Sequence, residues 1–159
     1  MSVAFTREED LESQAADLPD RPISPHPNLV TASGLAAIEQ ALAQAQEAYA
    51  AARSAGDISV DRTPMARATR DLRYWSAHRA TAQLSEASAP DGKVQFGRTV
   101  AIEREDGRRQ VFRIVGEDEA DPAQGRISYV SPLARALMGA AVGDVAIVAG
   151  GEVEVMDVS

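Results

Sequence analysis

Four carboxylates crowd into the short stretch Glu117, Asp118, Glu119 and Asp121, a density of oxygen ligands that a hard divalent cation could use. The run lacks the spacing of a calcium loop, so a solvated acidic turn is the competing reading. The two histidines, His26 and His78, stand far apart in the chain, and no nucleophile is spaced to partner either, which removes support for a hydrolytic triad. Zero cysteines exclude disulfides and thiolate metal sites and fit a reducing cytoplasm. Asp57 and Asp61 sit in Gly-Asp and Asp-Arg steps, which are ordinary turn and cap chemistry. Arg62, Arg67, Arg70, Arg73 and Arg79 bias one segment positive. They serve either as contacts for RNA or as a solvated face pairing with Glu39, Glu47 and Asp71. The net charge of −8 divides as −4, 0 and −4 over residues 1–30, 31–90 and 91–159. With a pI near 4.7, direct duplex binding is a poor main activity, and a protein partner is the better reading.

These residues need elements to position them. Residues 1–30 form an acidic leader that ends in prolines at 19, 22, 25 and 27. The prolines make 18–28 extended or irregular. A short helix over 6–16 is compatible with Thr6 as cap and with Glu8, Glu9 and Asp10 at its N-terminal end. The leader is either flexible or an arm that packs along the body or a partner. From Thr31 onward, Leu35, Ile38, Leu42, Ala45, Tyr49 and Ala52 recur at alternating spacings of three and four, the seam of a coiled coil. Met65, Ala68, Leu72, Trp75, Arg79 and Ala82 repeat that seam after Thr63-Pro64, a cap followed by proline. Two matched helices joined by a short loop predict an antiparallel hairpin over 31–86, followed by a small polar linker over 87–91.

Residues 92–159 read as a separate α+β domain. Thr99 to Glu103 alternate with buried-type Val100 and Ile102. Glu105-Asp106-Gly107 turns the chain into a strand from Arg109 to Val115, and Arg126 to Val130 reads as a further short strand. Ser131-Pro132 then starts a helix, with Leu133, Ala134, Leu137 and Met138 as its apolar stripe and Gly139 as its stop. Val145 to Val148 and Val153 to Val155 form a last hairpin across Gly150-Gly151. The expectation is an antiparallel-rich sheet wrapped on the helix Pro132 to Met138. No apolar run reaches the roughly 20 residues that span a bilayer, so no membrane association is expected and the reading is a cytoplasmic protein.

The motifs IVGEDEAD, ISYVSPLARALMG and VGD, in that order and spacing, resemble the C-terminal domain of the GreA/GreB transcript-cleavage factors. That resemblance implies an FKBP-like fold behind an N-terminal antiparallel coiled coil. Leu29-Val30-Thr31 with Gly34-Leu35 is similar to the family's helix start, and Ala55-Gly56-Asp57-Ile58-Ser59 to its hairpin tip. In the family the tip enters the secondary channel of RNA polymerase, where acidic residues help hold a catalytic magnesium and stimulate cleavage of backtracked RNA. The resemblance therefore implies Asp57 and Asp61 as tip candidates, with any Mg2+ shared in the polymerase active site and no cofactor of the chain's own. Arg62, Arg67 and Arg70 become candidate contacts to nascent RNA or to the channel wall.

Two departures bear on that activity. The family pairs an aspartate with a glutamate three positions on, whereas here Val60 occupies that place and Asp61 follows one step later. The helices also read about three turns shorter, or roughly 15 Å less reach at 1.5 Å per residue. The family's C-terminal domain docks on the largest polymerase subunit at the channel rim, and DNA binding is associated with the family. Ser131 and Pro132 match its docking motif, Val130 stands where the family can carry an acidic residue, and Arg135 is the nearby cation on the same helix. The leading expectation is a regulator, not an enzyme, that acts at the channel without strong cleavage stimulation. The alternatives are an active cleavage factor using Asp57 and Asp61, or a polymerase-independent adaptor that binds another protein.

Overall fold

The computed structural model describes residues 18–55, 62–87 and 91–159. They form two compact units. One contains the segment ending at Pro25 together with Ile38–Thr81, and the other His26–Ala37 together with Ala82–Ser159. The architecture is mixed α and β, as the alternating sequence patterns predict.

The first unit is built on two helices, α1 (Ala32–Ala55, whose first turn and a half belongs to the second unit) and α2 (Thr63–Thr81). Along the part of α1 in this unit, Ile38 and Ala45 are buried and Leu42, Tyr49 and Ala52 half-buried, while nearly every position between them is exposed. The seam read from the 3-4 spacing is thus the face that α1 buries. Arg79, late on α2, ion-pairs with Glu39, early on α1, at 3.0 Å, which fixes the pairing as antiparallel. On α2 the buried surface is wider than one seam. Ala66, Ala68 and His78 are buried and Tyr74 is half-buried, whereas the seam residue Arg79 is exposed. The irregular segment from Leu18 to Pro25 explains part of that width. Arg21 lays its guanidinium 3.7 Å from the centre of the Tyr74 ring and 5.4 Å from that of Trp75, and it ion-pairs with Asp71 at 3.6 Å. Asp20 pairs with Arg73 at 3.2 Å. The helix α2 begins one residue earlier than the Thr63-Pro64 cap reading, since the carbonyl of Arg62 already accepts from the Ala66 N–H at 3.1 Å.

The second unit holds a five-stranded sheet and a short parallel pair. The pair joins β1 (Leu29–Val30) to β2 (Gln83–Leu84). The sheet consists of β3 (Thr99–Arg104), β4 (Arg109–Val115), β5 (Arg126–Ser128), β6 (Val145–Val148) and β7 (Gly151–Val158), in the order β5-β4-β3-β7-β6. All neighbours are antiparallel except β4 and β5. The strand expected over Arg126 to Val130 ends at Ser128, because the Ser131 N–H turns back to the Ser128 carbonyl at 2.9 Å. The helix α3 (Pro132–Leu137) stops one residue short of the expected Met138, which sits at its C-cap in an extended conformation, and Gly139 follows at φ 81°. Ala134 and Leu137 on α3 close over the inward residues Val100, Ile102, Ile114, Val153 and Val155 to make one apolar core, with Val94 and Phe96 beside them. Gly116 has no room for a side chain: a Cβ there would stand 2.2 Å from the Leu29 carbonyl oxygen. Among the described residues no helix is long and apolar enough to cross a membrane.

Candidate functional site

The start of α3 brings four of the sequence-derived candidates onto one turn. Ser131 has the extended conformation of an N-cap, with φ −63° and ψ 151°, and its hydroxyl accepts the Ala134 N–H at 3.3 Å. Its carbonyl accepts the Arg135 N–H at 2.9 Å. Pro132 takes the first helical position, where a missing N–H costs nothing, and it is exposed. Val130 is half-buried, tied down through its N–H to the Ser128 hydroxyl at 3.2 Å. Arg135 is exposed one turn along. The backbone of the Val130-Ser131-Pro132 turn is therefore held by hydrogen bonds while Pro132 and Arg135 face solvent.

Tyr129, to which the sequence analysis assigns no role, borders this turn. Burial pushes the Tyr129 phenol above its ordinary range, the Glu117 carboxylate pushes it further in that direction, and Arg135 opposes both. The charges of Glu117 and Arg135 thus both bear on this ring, which packs edge-on against Phe96 at 5.7 Å between centroids. The Tyr129 hydroxyl donates to the Pro27 carbonyl. An aromatic flanked by a candidate docking motif was the available signal, and its contact 102 residues away in the chain was not legible in the sequence.

The acidic loop does different work from either reading of its sequence. Glu119 accepts hydroxyl hydrogen bonds from Thr31 at 2.6 Å and Ser33 at 2.7 Å. Thr31 is itself the N-cap of α1, accepting the Gly34 N–H at 3.0 Å with its side chain and the Leu35 N–H at 2.8 Å with its carbonyl. The Glu119 carboxylate therefore stands at the positive end of α1, where a negative charge is favoured. Gly34 makes room for it, since a Cβ at that position would lie 2.6 Å from Glu119 Oε2. Arg126 donates to the Glu119 carbonyl at 3.1 Å and lies 3.9 Å from the Asp121 carboxylate. Among the described residues no group of three or more histidines and carboxylates could hold a metal ion.

Asp57 and Asp61 lie outside the described residues, as does the proposed helix over 6–16. Arg62 and Arg67 are exposed on α2. Arg70 is turned toward its chain neighbour, with its guanidinium 3.2 Å from the Asp71 carboxylate.

A sheet-and-helix module with a capped, exposed turn at the start of α3, carried on a chain that also has two antiparallel helices, is the arrangement expected of a transcription elongation factor of the Gre type. The family model described as "Transcription elongation factor, GreA/GreB, C-term" matches residues 89–159. The chain is 37% identical over 131 residues to the transcription elongation factor GreA of Methylobacterium nodulans, covering 72% of this chain and 83% of that protein. It is 40% identical over 111 residues to GreA of Methylococcus capsulatus, covering 64% and 70%. A 62-residue stretch is 52% identical to the transcription elongation factor GreB of Neisseria meningitidis serogroup B, covering 39% of this chain and 36% of that one. Among solved structures, GreA factor homolog 1 of Thermus thermophilus aligns at 21% identity and a TM-score of 0.39 over 84% of this chain and 99% of its own. The chain belongs to the GreA/GreB family of transcription elongation factors.

Proposed function

We propose that this chain regulates transcription elongation by binding bacterial RNA polymerase through the start of α3, with Val130, Ser131, Pro132 and Arg135 contacting the largest subunit at the rim of the secondary channel. The observation that carries this reading is the Ser131 cap. Its hydroxyl bond to Ala134 holds a rigid turn whose Pro132 and Arg135 are exposed, and a pre-organised surface loses little entropy on binding. The helical hairpin is then the part presented to the channel, with Arg62 and Arg67 as contacts to nascent RNA or the channel wall. It acts by occupancy, without strong cleavage stimulation. The absence of an acidic residue three positions after Asp57 supports this, because a carboxylate must come within about 2.1 Å of magnesium to bind it. Any magnesium involved belongs to the polymerase active site, the chain is not itself an enzyme, and its place of action is the cytoplasm.

The test is cleavage of RNA in purified, stalled polymerase complexes, with binding recorded in the same samples. Binding without added cleavage, weakened by Pro132→Ala combined with Arg135→Glu, is the expected result. Stimulated cleavage that disappears in Asp57→Ala and Asp61→Ala would make this an active cleavage factor. Absence of binding, or binding indifferent to the α3 substitutions, would refute the polymerase contact and leave an adaptor for another protein.

A further inference from the structure

The outer face of the sheet carries a second surface, on the hairpin of β6 and β7 that follows α3 in the chain. The strand β6 is the last in the sheet order, so one of its edges is open. Its register, with Val148 opposite Gly151 and Ala146 opposite Val153, alternates hydrogen-bonded and non-bonded pairs. The Val155 N–H donates to Asp144 at 2.9 Å, which sets the phase of that alternation. The backbone groups of Ala146 and Val148 accordingly face β7, and those of Val145 and Ile147 face the open edge. The side chains of the same two residues are 56% and 73% exposed on the outer face. The strand, Val-Ala-Ile-Val, has none of the lysines or prolines that usually protect an edge.

The neighbours of these side chains are acidic. Glu154 lies opposite Val145, Glu152 opposite Ile147, and Glu103 of β3 opposite Glu154. Like charges directly across strands are destabilising. Arg109 neutralises Glu103 at 2.8 Å, while no ion pair joins Glu152 or Glu154 among the described residues. The face thus joins an open strand edge and an apolar strip to carboxylates that form no ion pair among the described residues, although Arg104 and Arg108 line one pocket with Glu152.

We propose that this edge docks an extended, cationic protein segment, which adds beside β6 as a further strand with lysine or arginine at alternate positions. Strands stand roughly 4.8 Å apart, so an added strand lies about two spacings from β7, a gap that an arginine and a glutamate together bridge. The alkyl stems would cover Val145 and Ile147 and the charged heads would meet Glu152 and Glu154. Charge decides the occupant. A second copy of this chain would bring its own acidic rows and a net charge of −8 to the edge, and nucleic acid would be repelled.

The experiment titrates the full-length, isotope-labelled chain with a short peptide of alternating threonine and arginine, and with the same peptide carrying glutamate for arginine. The expected result is amide shift changes centred on Val145 to Val148 with the cationic peptide alone. Affinity should fall about tenfold or more in Glu152→Lys/Glu154→Lys, and clearly in Ile147→Thr, which keeps the strand and its edge N–H. Glu117→Lys/Asp118→Lys, which changes the charge equally at the acidic loop, should leave peptide affinity within a factor of about two. Equal loss in that control, binding of both peptides, shifts centred elsewhere, or no binding would each overturn the proposal. So would a concentration-dependent dimer in sedimentation that Ile147→Lys abolishes, since that assigns the edge to a second copy.

Discussion

Replacing Glu119 by alanine is expected to cost about 2 kcal/mol, with the loss falling on the first turn of α1. The carboxylate accepts two short hydrogen bonds, from Thr31 at 2.6 Å and Ser33 at 2.7 Å. A hydrogen bond to a charged group is worth about 1.5–3 kcal/mol net. Thr31 is buried, which would place its bond high in that range, but its hydroxyl has a second partner in Ser33 Oγ, so the bond counts near the lower end, about 1.5 kcal/mol. Ser33 is exposed and water replaces the carboxylate there, which reduces its share to about 0.5 kcal/mol or less. The favourable position at the helix N-terminus adds about 0.3 kcal/mol or more. The Thr31 hydroxyl keeps Ser33 Oγ at 3.0 Å as a partner, which holds the total near 2 rather than 4 kcal/mol. Urea unfolding of the wild type, Glu119→Ala, Ser33→Ala and the double variant would give both the cost and the coupling, with hydrogen exchange at Gly34 and Leu35 locating it. A cost below about 0.5 kcal/mol, or a loss of exchange protection that spares Gly34 and Leu35, would refute the assignment of Glu119 as the group that holds this helix start.

Three further outcomes follow from the same geometry. Ala149 has φ 51° and Gly150 φ 79° in the two-residue turn between β6 and β7, a pattern that favours Asn-Gly. Ala149→Asn should therefore raise stability by about 0.5–1 kcal/mol, seen as a melting temperature higher by roughly 1–4 °C, and an unchanged or lower value would contradict the turn. Arg21→Ala removes a cation–π contact and an exposed ion pair, together about 1 kcal/mol. Because Trp75 is the single tryptophan, its emission should shift to longer wavelength, and an unaltered spectrum would argue against the packing of Arg21 on α2. Tyr129 has its pKa raised by burial first and by Glu117 second. Its folded value lies above its unfolded one, so its contribution is fully present below about pH 10 and declines as pH rises through the folded value. Tyr129→Phe should flatten that alkaline loss, and an identical pH profile in wild type and variant would remove Tyr129 as its source.

The local elements were legible in the residue pattern. The 3-4 spacing from Leu35 to Ala52 marks the buried face of α1 because a helix repeats every 3.6 residues, and Ser131-Pro132 marks the start of α3 because capping depends on adjacent residues. The alternation of Val100 and Ile102 with Thr99, Ala101 and Glu103 likewise gives the inward face of β3, since strand side chains alternate. Contacts whose partners lie far apart along the chain emerged with the three-dimensional fold. Glu119 reaches Thr31 across 88 positions, Tyr129 reaches Pro27 across 102, and no periodicity encodes either separation. The packing of Arg21 on Tyr74 and Trp75 was equally hidden, because a proline-rich segment carries no repeat that names its surface. The parallel placement of β5 beside β4, and with it the open edge of β6 at the other side of the sheet, came from strand order, which short-range patterns leave undetermined.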